Sequence, residues 1–393
     1  MAAVLGALAT GAAPLASSVA RASIEDVRVF DANWIDDARG RLVPARLYWP
    51  HTSSFRGLMP LVVFSHGLGQ SRESYRYLGG QWSGCGIASL HVQHVGSDAS
   101  VWTGNPLTMI DRLQEAAHER EAIERARDVR FALDRILDPR INSLHALIDH
   151  RRIVAAGHSY GANTTLMVLG ARVIREGRTV EYGDTRFKAG IVISAPPFYG
   201  EPDVKEVLKA IDAPTLHVTA TEDVIELPGY YSPAQDRLDI YNAIINPQKM
   251  IAVFQGGSHS IFTDRPWTGG VTLNPKVKQA TAEAGLAFID LVFRSDTMPF
   301  VNWRAKWDPI LAVAPTPFLI GTPSRGFPLK RQEPSLRSMR KFKAVKACDN
   351  NFTRKKVLNV LKQSGYVLYI NCVHAVMPMH KTDNILPFPS LLM

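Results

Sequence analysis

The pentapeptide Gly157-His158-Ser159-Tyr160-Gly161 has the spacing G-x-S-x-G. Alone it is a weak signal, and its flanks give it weight. Residues 152–156 before it form a short apolar run of strand type, and residues 162–169 after it read as a helix. A serine on a sharp strand-to-helix turn has its oxygen held out from the backbone. Glycines two before and two after it let the strand and helix backbones pass closely. Such a serine is suited to acyl transfer: it attacks a carbonyl, gives its proton to a base and forms an acyl-enzyme that water cleaves.

A base and an acid should follow in the order Ser, acid, His. His259 lies in Gln255-Gly256-Gly257-Ser258-His259-Ser260, directly after the apolar run 250–254. Of the chain's 12 histidines it is the one that combines a post-strand loop, flanking glycines and the right chain order. Asp223, just past the run that begins at Thr215, is the preferred acid; Glu222 and Glu226 are nearby substitutes and Asp203 a more distant one. His217 is expected inside its strand, and His158 is expected to pack beside the serine turn. Phe64-Ser65-His66-Gly67-Leu68-Gly69 ends an upstream strand, so the Leu68 and Tyr160 backbone N–H groups are the expected oxyanion donors. Trp102, Phe198 and Ile225 are candidate substrate-binding residues, with Leu68, Tyr160 and Pro197 as further lining, because several fall in loops after strand ends. The chemistry calls for no cofactor.

The elements that must hold these residues alternate. Continuous apolar runs begin at Leu61, Ile87, Ile153, Ala189, Thr215 and Met250, as expected of strands buried on both faces. Helical patterns separate them, notably 119–137, where Ile123, Ala126, Val129, Leu133 and Ile136 recur at three- and four-residue steps, and 276–293. The alternation predicts an α/β fold, a mostly parallel sheet with helices on both faces. Residues 27–30 and 42–49, the second broken by Pro44, read as an antiparallel opening hairpin. Residues 99–117 interrupt the pattern, either as a cap over the site or as a surface excursion.

The formal charge of +9 is unevenly placed. From Gly321 onward there are 13 Lys and Arg against 3 Asp and Glu, while the preceding chain is close to neutral at 32 against 33. The basic tail lacks interleaved stacking aromatics and any folded nucleic-acid module, so no nucleic-acid partner is expected. Cys85, Cys348 and Cys372 have no metal-ligand spacing, so no metal site is indicated, and Cys85, ahead of an apolar run, is expected to be buried. The first 22 residues are small and apolar and end in Ala20-Arg21-Ala22, which suggests a signal peptide and a secreted or periplasmic protein, although no basic residue precedes Arg21. No other stretch approaches the length of a membrane span. The expected organisation is a leader over 1–22, a catalytic domain over 23–300 and a poorly ordered Pro-rich, then basic, tail over 301–393.

Four blocks resemble the α/β-hydrolase superfamily, and within it platelet-activating-factor acetylhydrolases and bacterial dienelactone-hydrolase-like serine esterases. These are Phe64-Ser65-His66-Gly67-Leu68-Gly69, His91-Val92-Gln93-His94-Val95-Gly96-Ser97-Asp98, Gly157-His158-Ser159-Tyr160-Gly161-Ala162 and Arg186-Phe187-Lys188-Ala189. The resemblance covers roughly residues 27–293. It implies an α/β-hydrolase fold with an eight-stranded sheet, a Ser159, Asp223 and His259 triad, and hydrolysis of short acyl esters, sometimes of polyesters. Dienelactone hydrolases proper use a cysteine nucleophile, and Ser159 departs from that. A thioesterase, acyltransferase or serine peptidase could use the same triad, and a ligand-binding protein could keep the site for recognition. The substrate partner is a small or polymeric ester; the oligomeric state is not legible.

Overall fold

Strand β1 (Val27–Asp36) pairs antiparallel with β2 (Arg41–Pro50), and Pro44 stays in register opposite Asn33 without breaking the strand. Then follow β3 (Met59–Ser65), helix α1 (Arg76–Gly84) and β4 (Ala88–Val92), and next α2 (Met109–Ala116), α3 (Glu119–Leu137) and β5 (Ile148–His158). Helix α4 (Tyr160–Val168) leads to a hairpin of β6 (Arg172–Arg175) and β7 (Arg178–Glu181), then β8 (Phe187–Ile193), α5 (Val204–Leu208) and β9 (Thr215–Glu222). A small ribbon of β10 (Ile225–Leu227) and β11 (Tyr230–Ser232) precedes α6 (Gln235–Ala243) and β12 (Lys249–Ser258). Helices α7 (Leu273–Arg294) and α8 (Met298–Trp307) and strand β13 (Leu311–Val313) complete the computed structural model, which describes residues 27–51, 57–175, 177–227 and 230–318. All belong to one compact unit, 1–323; a second unit, 324–393, lies outside the described residues, as do the expected leader and basic tail.

The main sheet has the order β1-β2-β4-β3-β5-β8-β9-β12-β13. Strands β4, β3, β5, β8, β9 and β12 run parallel to one another, while β1 and β2 at one end and β13 at the other pair antiparallel. The continuous apolar runs are the central strands, and their period of two divides them between the faces. Leu61 and Val63 of β3 join the core on one side of the sheet, and Val62 and Phe64 the core on the other. The first core holds the buried stripe of α3, namely Ala126, Val129, Ala132, Leu133 and Ile136. The second packs α1, α7 and α8.

Two expectations about extent are corrected. The sheet has nine strands rather than eight, because β13 pairs with β12 at Val253 and Phe254. The folded body also passes residue 300, and residues 301–318 are part of it rather than tail. Phe300, Trp303 and Trp307 form one face of α8, buried against α7, and the Trp303 indole N–H donates to the Ala280 carbonyl at 2.8 Å. Cys85 is exposed rather than buried, since it occupies the turn that ends α1 and the apolar run starts only after it. No helix among the described residues is long and apolar enough to cross a membrane.

Candidate active site

Ser159 stands between β5 and α4 at φ +56°, a region an L-residue rarely adopts. The flanking glycines are required by contact. A Cβ on Gly157 would overlap the Gly161 carbonyl, and one on Gly161 would overlap the Ser65 carbonyl at the end of β3. The turn is pinned from behind by the Ser159 N–H, which donates to the Ile193 carbonyl at 2.9 Å.

The structure brings Ser159, His259 and Asp223 together from three strand ends. The Ser159 hydroxyl lies 2.8 Å from His259 Nε2, and His259 Nδ1 lies 2.8 Å from Asp223 Oδ1. A carboxylate only accepts, so Nδ1 carries the proton and Nε2 is free to accept from the serine. Asp223 is fully buried just past β9, and its Oδ2 accepts from the Thr219 hydroxyl at 2.7 Å. Burial by itself would raise its carboxyl; His259 and, beyond it, buried Arg237 at 3.5 Å overcome that and hold it well below the usual carboxylate range. The alternative acids are elsewhere employed. Asp203 caps α5 by accepting from the Lys205 N–H, Glu222 is exposed at the end of β9, and Glu226 is an exposed residue of the cavity wall.

His217 is buried inside β9, as expected. His158 does more than pack. Its Nδ1 lies 2.8 Å from the Tyr75 hydroxyl, which accepts from the Gly67 N–H at 3.2 Å, and its Nε2 lies 3.2 Å from the His259 carbonyl. With Tyr75 donating to Nδ1 and Nε2–H donating to the His259 carbonyl, one line of bonds ties the Gly67–Leu68 turn to the histidine loop. Burial foremost, and then the His259 charge, hold His158 well below the ordinary imidazole value, consistent with a neutral ring.

Leu68 and Tyr160 both line the cavity beside Ser159. Tyr160 is the first residue of α4, so its N–H belongs to the amides that have no partner within the helix. The turn carrying Leu68 rests on Arg125 of α3, which is fully buried. The guanidinium donates to the His66 carbonyl, to Ser65 Oγ at 3.2 Å and to Ser97 Oγ at 2.8 Å, and sits 4.4 Å from the centre of the Tyr160 ring. Arg125, Arg237, Tyr75 and Ser194, whose hydroxyl is 2.7 Å from His259 Nδ1, were not legible as site residues. Only Ser194 had a signal, its place directly after the β8 run.

The cavity over Ser159 measures about 750 Å³. Trp102, Phe198 and Ile225 all line it, as does Pro197. Within residues 99–117, Val101, Leu113 and Ala116 form a small cluster against Leu68. That segment therefore packs on the turn carrying Leu68 as well as supplying Trp102, whose indole N–H donates to the Gly69 carbonyl at 2.8 Å.

Residues 45–130 match the family model described as platelet-activating factor acetylhydrolase, isoform II, a span that holds the turn carrying Leu68 but not Ser159. The chain is similar to the platelet-activating factor acetylhydrolase of Cavia porcellus, 23% identical over 289 residues, covering 63% of this chain and 60% of that one. It is also similar to the enzyme of that name from Canis lupus familiaris, 26% identical over 246 residues, covering 54% of this chain and 49% of the other. The chain thus spans about half to three-fifths of the length of these relatives. A solved ferulic acid esterase from Streptomyces cinnamoneus superimposes with TM-score 0.51 at 21% identity, over 71% of this chain and 93% of that one. The fold is the α/β-hydrolase fold.

Proposed function

We propose that the chain is a serine carboxylic-ester hydrolase acting through Ser159, His259 and Asp223. The observation that carries this reading is the unbroken hydrogen-bond line from the Ser159 hydroxyl through His259 to buried Asp223, at the wall of the cavity. His259 Nε2 takes the serine proton as Oγ attacks the ester carbonyl, and Asp223 holds the ring in the right tautomer and stabilises the imidazolium. The Leu68 and Tyr160 N–H groups receive the oxyanion, where each preorganised donor is worth about 3 kcal/mol. His259 then protonates the departing alcohol, and water, activated by the same ring, cleaves the acyl-enzyme. The named activities of the relatives, acetylhydrolase and ferulic acid esterase, are both ester cleavages and support an ester substrate, small or polymeric. Export to the periplasm or medium is part of the same proposal and rests on the leader sequence alone.

The test is turnover of 4-nitrophenyl esters from acetyl to octanoyl by the wild type and by Ser159→Ala. Activity that falls at least about a thousandfold in the folded variant is expected. A folded wild type inactive on every ester, or a variant that keeps its activity, would refute the reading.

A further inference from the structure

The cavity does not stop at the serine. Along α4 its wall includes Ser159, Tyr160, Asn163, Thr164 and Met167, which are successive residues of one helical face. At about 1.5 Å of rise per residue the wall from Ser159 to Met167 is about 12 Å long. Val173 and Ile174 of β6, Ala122 and Ile123 of α3, and Phe198 also line the cavity. An acetyl group reaches only one C–C bond, about 1.5 Å, past its carbonyl carbon and would leave nearly all of the arm empty.

Which half of an ester enters the arm follows from the proton. The leaving oxygen must receive its proton from His259 Nε2, so the alcohol departs beside the histidine loop, where Ser260, Thr263 and Arg265 line the cavity. The acyl group is left with the side away from that loop, which is the arm along α4. The charge at its wall is already spent: Arg175 is paired with Glu119 at 2.6 Å and with Glu201. A chain without charge therefore meets Val173, Ile123, Phe198 and Met167, and Asn163, whose Oδ1 is buried without a partner, is the place where a hydroxyl on that chain would be read.

We infer that the α4 arm is an acyl-binding site for an extended, uncharged acyl group of medium length, so that acetyl esters are poor substrates. This rests on the ester-hydrolase reading. Met167→Trp and Val173→Phe each fill the arm, one from the helix and one from the hairpin, and far-ultraviolet circular dichroism shows which variants fold. With 4-nitrophenyl acetate and octanoate as probes, the wild type should favour octanoate in kcat/KM, and the octanoate-to-acetate ratio should fall at least tenfold in a folded variant. A wild type that prefers acetate, or a ratio unmoved in folded Met167→Trp and Val173→Phe proteins that still turn over acetate, overturns the arm alone. Absence of Ser159-dependent turnover of both esters overturns the hydrolase reading and the arm with it.

Discussion

Acidification should unfold this chain steeply between pH 7.5 and 5.5. His66, His91, His94, His158 and His217 are each at most 4% exposed. Burial, the leading cause for all five, pushes His91 and His217 down to about 3 and holds His66, His94 and His158 well below the ordinary imidazole value. The Arg125 charge pushes His66 and His94 the same way. In the unfolded chain these rings titrate near 6.5. As pH falls through about 6.5, the unfolded state binds protons that the folded state refuses, so the stability is present above that value and is lost below it. Between pH 7.5 and 5.5 the loss is about 1 kcal/mol per ring, or several kcal/mol for the five, against a usual total of about 5–15 kcal/mol. Urea unfolding followed by tryptophan fluorescence at several pH values measures it. His217 offers the internal control, because its Nε2 is buried without a partner and its ring packs edge-on to Tyr241 at 5.4 Å. His217→Leu should remove about one-fifth of the pH slope while costing little at pH 7.5, since it also removes an unsatisfied buried nitrogen. A loss under about 2 kcal/mol across the window, or a slope indifferent to His217→Leu, would show that the rings take up protons in the folded state.

Two further outcomes follow from the packing. Arg125 is fully buried, and burial above all pushes its guanidinium down to about 10, so it remains charged behind the turn that carries Leu68. Arg125→Met should leave the chain folded and lower kcat about tenfold or more with little change in KM, as expected of a positioning residue; an effect on KM alone contradicts that role. Trp303→Ala, at a position first read as tail, should cost about 3–5 kcal/mol in urea unfolding, and a cost near zero would return α8 to the surface.

The parallel strands, α3, the serine turn, Asp223 and His259 were legible because each is encoded locally. A buried strand shows as a run of apolar residues, a helix as a stripe, and a triad residue as a polar residue placed just past a strand. Helix α8 is masked locally as well: the prolines in and after it give the segment loop character, although Phe300, Trp303 and Trp307 have helical spacing. The hairpin of β6 and β7 and the ribbon of β10 and β11 are too short to show a period.

The polar layer behind the site was illegible for a different reason. Nothing near Arg125 in sequence indicates that it will meet Ser65 at the end of β3, His66 just past it and Ser97 from the loop after β4; that meeting exists only once α3 has docked on the sheet. The same holds for His94, which lies between Ser65 at 2.9 Å and Asp128 at 3.1 Å, and for Asp128, which Arg41 reaches from β2 at 2.9 Å. These residues sit on separate elements, yet all bear on the turn that carries Leu68. The triad faces a related difficulty, since Ser159, Asp223 and His259 each lie just past a strand end and loops place groups less accurately than helices or strands do. The line from Gly67 through Tyr75 and His158 to the His259 carbonyl joins two of those loops. Arg237 and Thr219 fix the carboxylate of the third. The residues of the proposed triad are therefore readable one at a time, whereas the accuracy with which they meet depends on long-range polar contacts that only the folded chain forms.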